Sequence, residues 1–262
     1  MKNNNQSYNI VSNVFSNSFK LLLKQPKLFV PKMIIAVFYG IAIYFQAQIL
    51  LEVLTIASAP QPTQYIERLG ELLVQMLVLF IYNILLYVAD IFVNSLYPSL
   101  VKQMNESKKI SFKKAIKTSK KHFSTIFMSS TIPLILLFVI TIPFFLLSAI
   151  FSDYSLLIEL FIFVVIGYIF LMAFYFLYPV VVIEKKSVLD SIKESIKLSK
   201  DNKKEVFFLS LVPFFVTILK TISAFLAQDT AFLGIFIFLV FLTGLVYTYY
   251  MVSEPSLYFA VK

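Results

Sequence analysis

The 262-residue sequence contains no cysteine and no tryptophan, a single histidine (His122), a single arginine (Arg68) and only five glycines. Without cysteine there is no disulfide framework, no thiolate metal site and no cysteine nucleophile. One histidine leaves no pair of imidazoles for a metal and no triad partner within an apolar interior. His122 stands at the basic start of an apolar run, where an interfacial role is expected. Gly40, Gly70, Gly167, Gly234 and Gly244 form neither a phosphate-cradling loop nor a Gly-x-x-x-Gly packing motif. Acids are scarce as well, 14 in all. A paired-carboxylate hydrolase needs two of them at one depth, whereas Asp90 is expected on the inner side of an apolar layer and Glu159 on the outer. Neither an enzyme nor a bound cofactor or metal is expected.

Apolar residues, by contrast, make up 59% of the chain, and charged residues only 14%, against roughly 25% charged in an ordinary soluble domain. Charge-free runs cover 33–51, 72–89, 123–152, 160–183 and 230–253, and a sixth at 206–228 is interrupted only by Lys220. Each is close to the ~20 residues that carry a helix across ~30 Å of hydrocarbon. A soluble chain of this length would have too few remaining residues to face water. The fold class predicted is therefore all-α, a polytopic membrane protein with six transmembrane helices. With tryptophan missing, tyrosine and phenylalanine must serve at the interfaces. The opening MKNNNQSYNI has no short apolar core and no small-residue cleavage site, so the mature chain is expected to begin near Met1.

Twenty of the lysines fall within 2–32, 102–121 and 185–204, while the intervening connections at 59–71, 152–155 and 228–230 hold Arg68 alone beside Glu67, Glu71, Asp153 and Asp229. Short loops rich in Lys and Arg remain cytoplasmic, so both termini are expected inside, in the plasma (inner) membrane. Basic residues at that position attract anionic headgroups, and the lipid bilayer is the expected partner. The formal net charge of +9 is not read as nucleic-acid binding, because no stacking platform or nucleic-acid motif accompanies it.

Self-similarity organises the chain. Pro98 in SLYPSLVK, Pro179 in FLYPVVVI and Pro255 in SEPSLYFAVK close apolar runs two, four and six, and a basic segment follows the first two prolines, from Ser111 and from Ser187. A weaker version lies near 13–24. Phe112, Ala115, Ile116 and Phe123 share one helical face, as do Val188, Leu189, Ile192 and Ile196, and as do Val11, Val14, Phe15 and Leu22. Ser111 and Ser187 are good N-caps, with Asp190 placed as in a capping box. One domain, 1–262, is thus expected to hold three hairpin pseudo-repeats, 8–98, 108–179 and 185–255, related by a pseudo-threefold axis. Each is led by a cytoplasmic amphipathic helix that either lies in the lipid interface or packs on the bundle. Pro31 suits a helix start. Pro133 and Pro213 lie two turns into their helices and predict kinks, with Ser129, Ser130 and Ser210 in reach of the freed carbonyls.

The polar residues of the second run carry the strongest site signal. Gln75, Asn83, Asp90, Asn94 and Tyr97 lie within an arc of roughly 100° on one helical face, and a carboxylate there costs about 2.5–3.5 kcal/mol on insertion scales. Three uses are open: interhelical hydrogen bonding with helices bearing Tyr175 or Tyr247, an ion, proton or ligand path, or a partner contact. Lys220 is the other costly residue. Glu159 and Glu52 are expected at a similar depth, and either could neutralise it; a structural pair with Glu159 is favoured over snorkelling and over a substrate site. Glu254 reads best as a solvated terminal charge.

The amphipathic-helix-then-hairpin layout, with Tyr-Pro ahead of a basic segment at Tyr97-Pro98 and Tyr178-Pro179, resembles the six-helix membrane domain fused to some glycerophosphoryl diester phosphodiesterases and the related stand-alone uncharacterised prokaryotic membrane proteins. The resemblance spans the whole chain through hydropathy and short motifs. It implies a membrane-embedded accessory or assembly role and transfers no catalytic residue; the soluble phosphodiesterase domain has no counterpart in these 262 residues. The function expected is that of a non-enzymatic accessory or assembly subunit, or envelope-modifying factor, with a membrane-protein partner or a second copy as possible company. The alternative is a small transporter or channel using the Asn83, Asp90 and Asn94 stripe, which parallel rather than inverted repeats disfavour.

Overall fold

The computed structural model describes the backbone of residues 4–57, 66–106, 109–148 and 155–262, and the side chains of 6–56, 68–106, 109–143 and 164–262. The described residues contain helices and no strand. In chain order these are α1 (Asn4–Lys24), a 3-10 turn at Pro26–Leu28, α2 (Phe29–Ala57), α3 (Ile66–Asn105), α4 (Phe112–Lys121), α5 (Phe123–Ser148) and α6 (Ser155–Ala173). Then follow the short α7 (Leu177–Pro179), a π turn at Val180–Glu184, α8 (Val188–Asp201), α9 (Lys203–Leu226), a 3-10 turn at Thr230–Phe232 and α10 (Leu233–Val261). Among the described residues six segments are long and apolar enough to cross a membrane: Pro26–Ile56, Arg68–Asn105, Phe123–Pro143, Val164–Glu184, Lys203–Leu226 and Thr230–Val261. They match the six apolar runs. Leu73, Val74, Leu77, Val78, Phe80 and Ile81 on α3 are each more than half exposed. A continuous apolar face of that kind is an aggregation liability in water and the ordinary outer face of a helix in lipid.

Local signals start the basic helices as expected. The Ser111 hydroxyl accepts from the Lys114 amide at 3.3 Å, and the Ser187 hydroxyl accepts from the Asp190 amide at 3.3 Å while donating to Asp190 Oδ2 at 2.6 Å. Each cap satisfies one of the orphan donors of a first turn. Lys185, at φ 58°, ends the π turn in the left-handed region and redirects the chain into α8.

The prolines behave differently from expectation. Pro98 and Pro255 close apolar runs in the sequence, yet α3 continues to Asn105 and α10 to Val261. An interior proline costs a helix about 3 kcal/mol. Burial of Tyr97, Leu100 and Val101 around Pro98, and of Val252, Leu257 and Tyr258 around Pro255, outweighs it, at about 1.5–3 kcal/mol for each large apolar side chain. Pro179 does interrupt its run. The backbone tightens ahead of it, with Tyr175 N–H donating to Met172 O and Leu177 N–H to Phe174 O, so run 160–183 is not one helix. Pro133 and Pro213 lie inside α5 and α9, but the serines expected to serve their freed carbonyls do not. Among the described residues the Ser129 and Ser130 hydroxyls have no hydrogen-bond partner, and Ser210 engages Phe207 O at 2.9 Å and the Tyr168 hydroxyl at 2.8 Å.

The chain divides into two compact units. The first comprises Met1–Lys24, Ile91–Phe214 and Tyr249–Lys262; the second comprises Gln25–Asp90 and Phe215–Thr248. The first unit contains all three basic helices. Within it α5 packs on α6 and α8, and Phe15 of α1 stacks on Tyr249, whose hydroxyl donates to Phe15 O at 3.0 Å. The core of the second includes Ala47, Ala227, Phe236 and Val240, and a smaller cluster of Ile49, Ile56 and Leu72.

Candidate functional site

In the second unit, α2 and α10 meet closely enough that a methyl group has no room between them. A Cβ on Gly40 would lie 2.9 Å from both Val240 methyls, and one on Gly244 would lie 2.6 Å from Met33 Sδ and 3.0 Å from the Ala36 methyl. The two glycines thus act as a packing pair across two helices, a role invisible to a search for a motif on one. Close approach of α2 and α10 brings Lys32 and Tyr39, seven residues apart on one face of α2, to Tyr247 and Thr243 of α10.

Lys32 is almost wholly buried and forms an ion pair with Asp90 of α3, also buried. Its ammonium stands 3.7 Å from the centre of the Tyr247 ring. The Lys220 ammonium of α9 lies 4.4 Å from the Tyr39 ring and 5.6 Å from the Tyr247 ring, and Asp90 acts on it across space. Ring faces attract cations through their quadrupole, by about 2 kcal/mol or more when the pair is desolvated. The cluster therefore places two ammonium groups about one carboxylate and two tyrosine rings. Beside Lys220 is a narrow cavity lined by Tyr39, Ser223 and Thr243, whose buried hydroxyl has no hydrogen-bond partner among the described residues.

The polar stripe of α3 does not converge on one site. Gln75 is exposed at an apolar groove of about 450 Å³ between α2 and α3, lined by Ile41, Phe45, Ile49, Val74, Val78 and Tyr82. Asn83 donates to Leu79 O of its own helix at 2.8 Å. Asn94 belongs to the first unit, with its amide 3.5 Å from the Tyr178 hydroxyl. Asp90 enters the charged cluster through Lys32.

Lys32 is the residue that the sequence reading missed. Its position places it in the cytoplasmic lysine group, and position alone does not distinguish a lysine facing water from one facing a neighbouring helix. Its available signal was its position one residue after Pro31, inside the first turn of a spanning helix, in helical register with Tyr39. Lys220 is held by tyrosine rings, and Glu52 pairs with Arg68, so the suggested link between Lys220 and Glu52 is not formed. The side chain of Glu159 lies outside the described residues. Glu254 is buried at 2% exposure, which overturns its reading as a solvated charge. It packs in the first unit near Tyr175, because α10 extends past Pro255 and carries it inside.

The first unit has a second charged centre at its basic edge. Glu184 pairs with Lys262 and with Lys186 at 2.9 Å, and accepts from the Tyr258 hydroxyl at 2.7 Å. Lys186 also reaches Glu194 at 3.0 Å, and hydrogen bonds to Glu184 and Glu194 hold its ammonium above the usual lysine range. His122 is held below the usual histidine range, first by partial burial and then by Lys121 and Lys185. Among the described residues no group of three His, Cys, Asp or Glu side chains is placed to hold a metal. Comparison with protein families, with curated proteins and with solved structures finds no match to this chain.

Proposed function

We propose that this chain is a non-enzymatic integral protein of the plasma membrane, with both termini cytoplasmic, that serves as an accessory or assembly subunit or modifies the envelope. The observation that carries this is the pairing of Asp90 with Lys32. The only described carboxylate of the α3 stripe is neutralised by a lysine from a neighbouring helix, while Gln75 is exposed at an apolar groove and Asn83 bonds within its own helix. A stripe divided in this way supports helix association better than it supports a conducting path. The transporter alternative draws its support from Lys220, a second ammonium near the same carboxylate.

Proteoliposomes separate the two. Under an imposed potassium diffusion potential, with an internal pH dye and an anion-sensitive dye, the accessory role predicts no flux above empty liposomes. A flux that Asp90→Asn abolishes while the protein remains folded and inserted establishes the transporter instead.

A further inference from the structure

We propose that α1, α4 and α8 together form a lipid-binding surface for anionic headgroups, in which each helix lies half-sunk with an apolar row in the acyl boundary and a lysine row at the phosphates; this rests on the membrane residence proposed above. The sequence alone leaves open whether these helices bury their apolar stripe against the protein or offer it to lipid. The structure places large apolar residues on the outside. Leu189 is 64% exposed and Ile196 41% on α8, Ile116 is 43% exposed on α4, and Tyr8, Phe19 and Leu23 are 73%, 57% and 66% exposed on α1.

The faces turned inward are lined mainly by small side chains. α8 buries Ser191, Ser195 and Ser199, α4 buries Ala115 and Ser119, and α1 buries Ser7 and Ser18 along with Val11, Val14 and Leu22. Ser195 donates to Ala173 O at 3.4 Å, while the hydroxyls of Ser18, Ser119, Ser191 and Ser199 have no hydrogen-bond partner among the described residues. A water-exposed helix packed on a protein does the reverse, burying leucine and isoleucine and leaving serine outside. On α4 and α8 the preference is inverted, as expected when the outer medium is apolar on one side and the inner contact needs small residues for close approach.

Charge gives the surface its orientation. At about 100° per residue, the exposed apolar residues of all three helices lie roughly 80–140° around from the buried row, in the same rotational sense. The lysines follow, at roughly 120–240°: Lys20 and Lys24 on α1; Lys113, Lys117 and Lys120 on α4; Lys193, Lys197 and Lys200 on α8. On α8 the acids Asp190, Glu194 and Asp201 come last, at roughly 220–260°, on the flank that remains in water. Lysine stems extend along apolar surface and lift their ammonium groups to the phosphate level. An anionic surface favours each by on the order of fivefold, whereas a zwitterionic one offers no such gain.

The absence of cysteine makes the test direct. Single variants Leu189→Cys, Ile116→Cys, Phe19→Cys, Asp201→Cys and Ser195→Cys are spin-labelled in the full chain and placed in phosphatidylcholine nanodiscs with and without phosphatidylglycerol. Labels at 189, 116 and 19 are expected to collide preferentially with oxygen, and the label at 201 with a water-soluble nickel chelate. The label at 195 reports whether the inward face is closed to both. A second arm measures the preference of the unlabelled protein for spin-labelled phosphatidylglycerol over phosphatidylcholine. It is expected to be several-fold, and to fall to near unity when Lys193, Lys197 and Lys200 are replaced by Gln together with Lys113, Lys117 and Lys120. Nickel access at 189, 116 and 19 overturns the proposal in favour of solvated helices. Shielding of the three from both reagents overturns it in favour of a protein interface, and an unchanged lipid preference in the lysine variant removes the anionic component.

Discussion

At the residue scale, the ion pair of Lys32 and Asp90 changes what a substitution at Asp90 should do. A stripe held by neutral hydrogen bonds would lose only about 0.6 kcal/mol on Asp90→Asn. With Lys32 buried beside it, the amide leaves an ammonium without its counter-charge, and breaking a buried pair from one side costs about 3–5 kcal/mol. The double variant Lys32→Met with Asp90→Leu removes both members of the pair, leaves Lys220 on its tyrosine rings, and should recover most of that, since apolar replacement of a buried pair is often neutral. Thermal unfolding in detergent compares the variants, and a double variant less stable than Asp90→Asn contradicts the account. His122 supplies a pH prediction. Its folded form binds a proton less readily than the unfolded chain, so stability should fall as pH drops through about 6.5, where the unfolded histidine titrates. His122→Gln should flatten the melting temperature across that window, and an unaltered pH profile would remove His122 as the cause.

At the element scale, close packing of α2 on α10 rests on two missing side chains. Gly40→Ala places a methyl 2.9 Å from the stiff, β-branched Val240, and overpacking of this kind costs about 1–3 kcal/mol. Val240→Ala opens the same space, so the pair Gly40→Ala with Val240→Ala should be more stable than the additive expectation from the two single changes. A double-mutant cycle in detergent reads the coupling, and strict additivity would show that the helices do not meet there. The amphipathic helices and their serine caps were legible in sequence, since capping depends on residues three apart. Continuation of α3 and α10 through their prolines was not, because the burial that outweighs the proline comes from chain-distant neighbours.

At the scale of the whole molecule, the distribution of lysine predicts orientation. With no native cysteine, Gln64→Cys and Lys109→Cys can each be labelled in intact cells by an impermeant maleimide. Labelling at 64 and protection at 109 are expected, and the opposite pattern inverts the proposed topology. The common rotational order of serine, apolar and lysine rows on α1, α4 and α8 supports the proposed threefold repeat of a helix followed by a hairpin, because duplicated units keep their inner and outer faces.

The sequence by itself determined that the chain is helical and holds six segments long and apolar enough to cross a bilayer, because length, hydropathy and local capping are properties of contiguous residues. It also marked Asp90 as too costly to face lipid. Only the tertiary structure decided that Lys32 neutralises it, that tyrosine rings receive Lys220, that Glu254 is buried, and that α4 and α8 turn small residues inward and Ile116, Leu189 and Ile196 outward. The partner of a buried charge, and the side of a helix that a neighbour covers, depend on residues dozens or hundreds of positions away, which no local periodicity encodes.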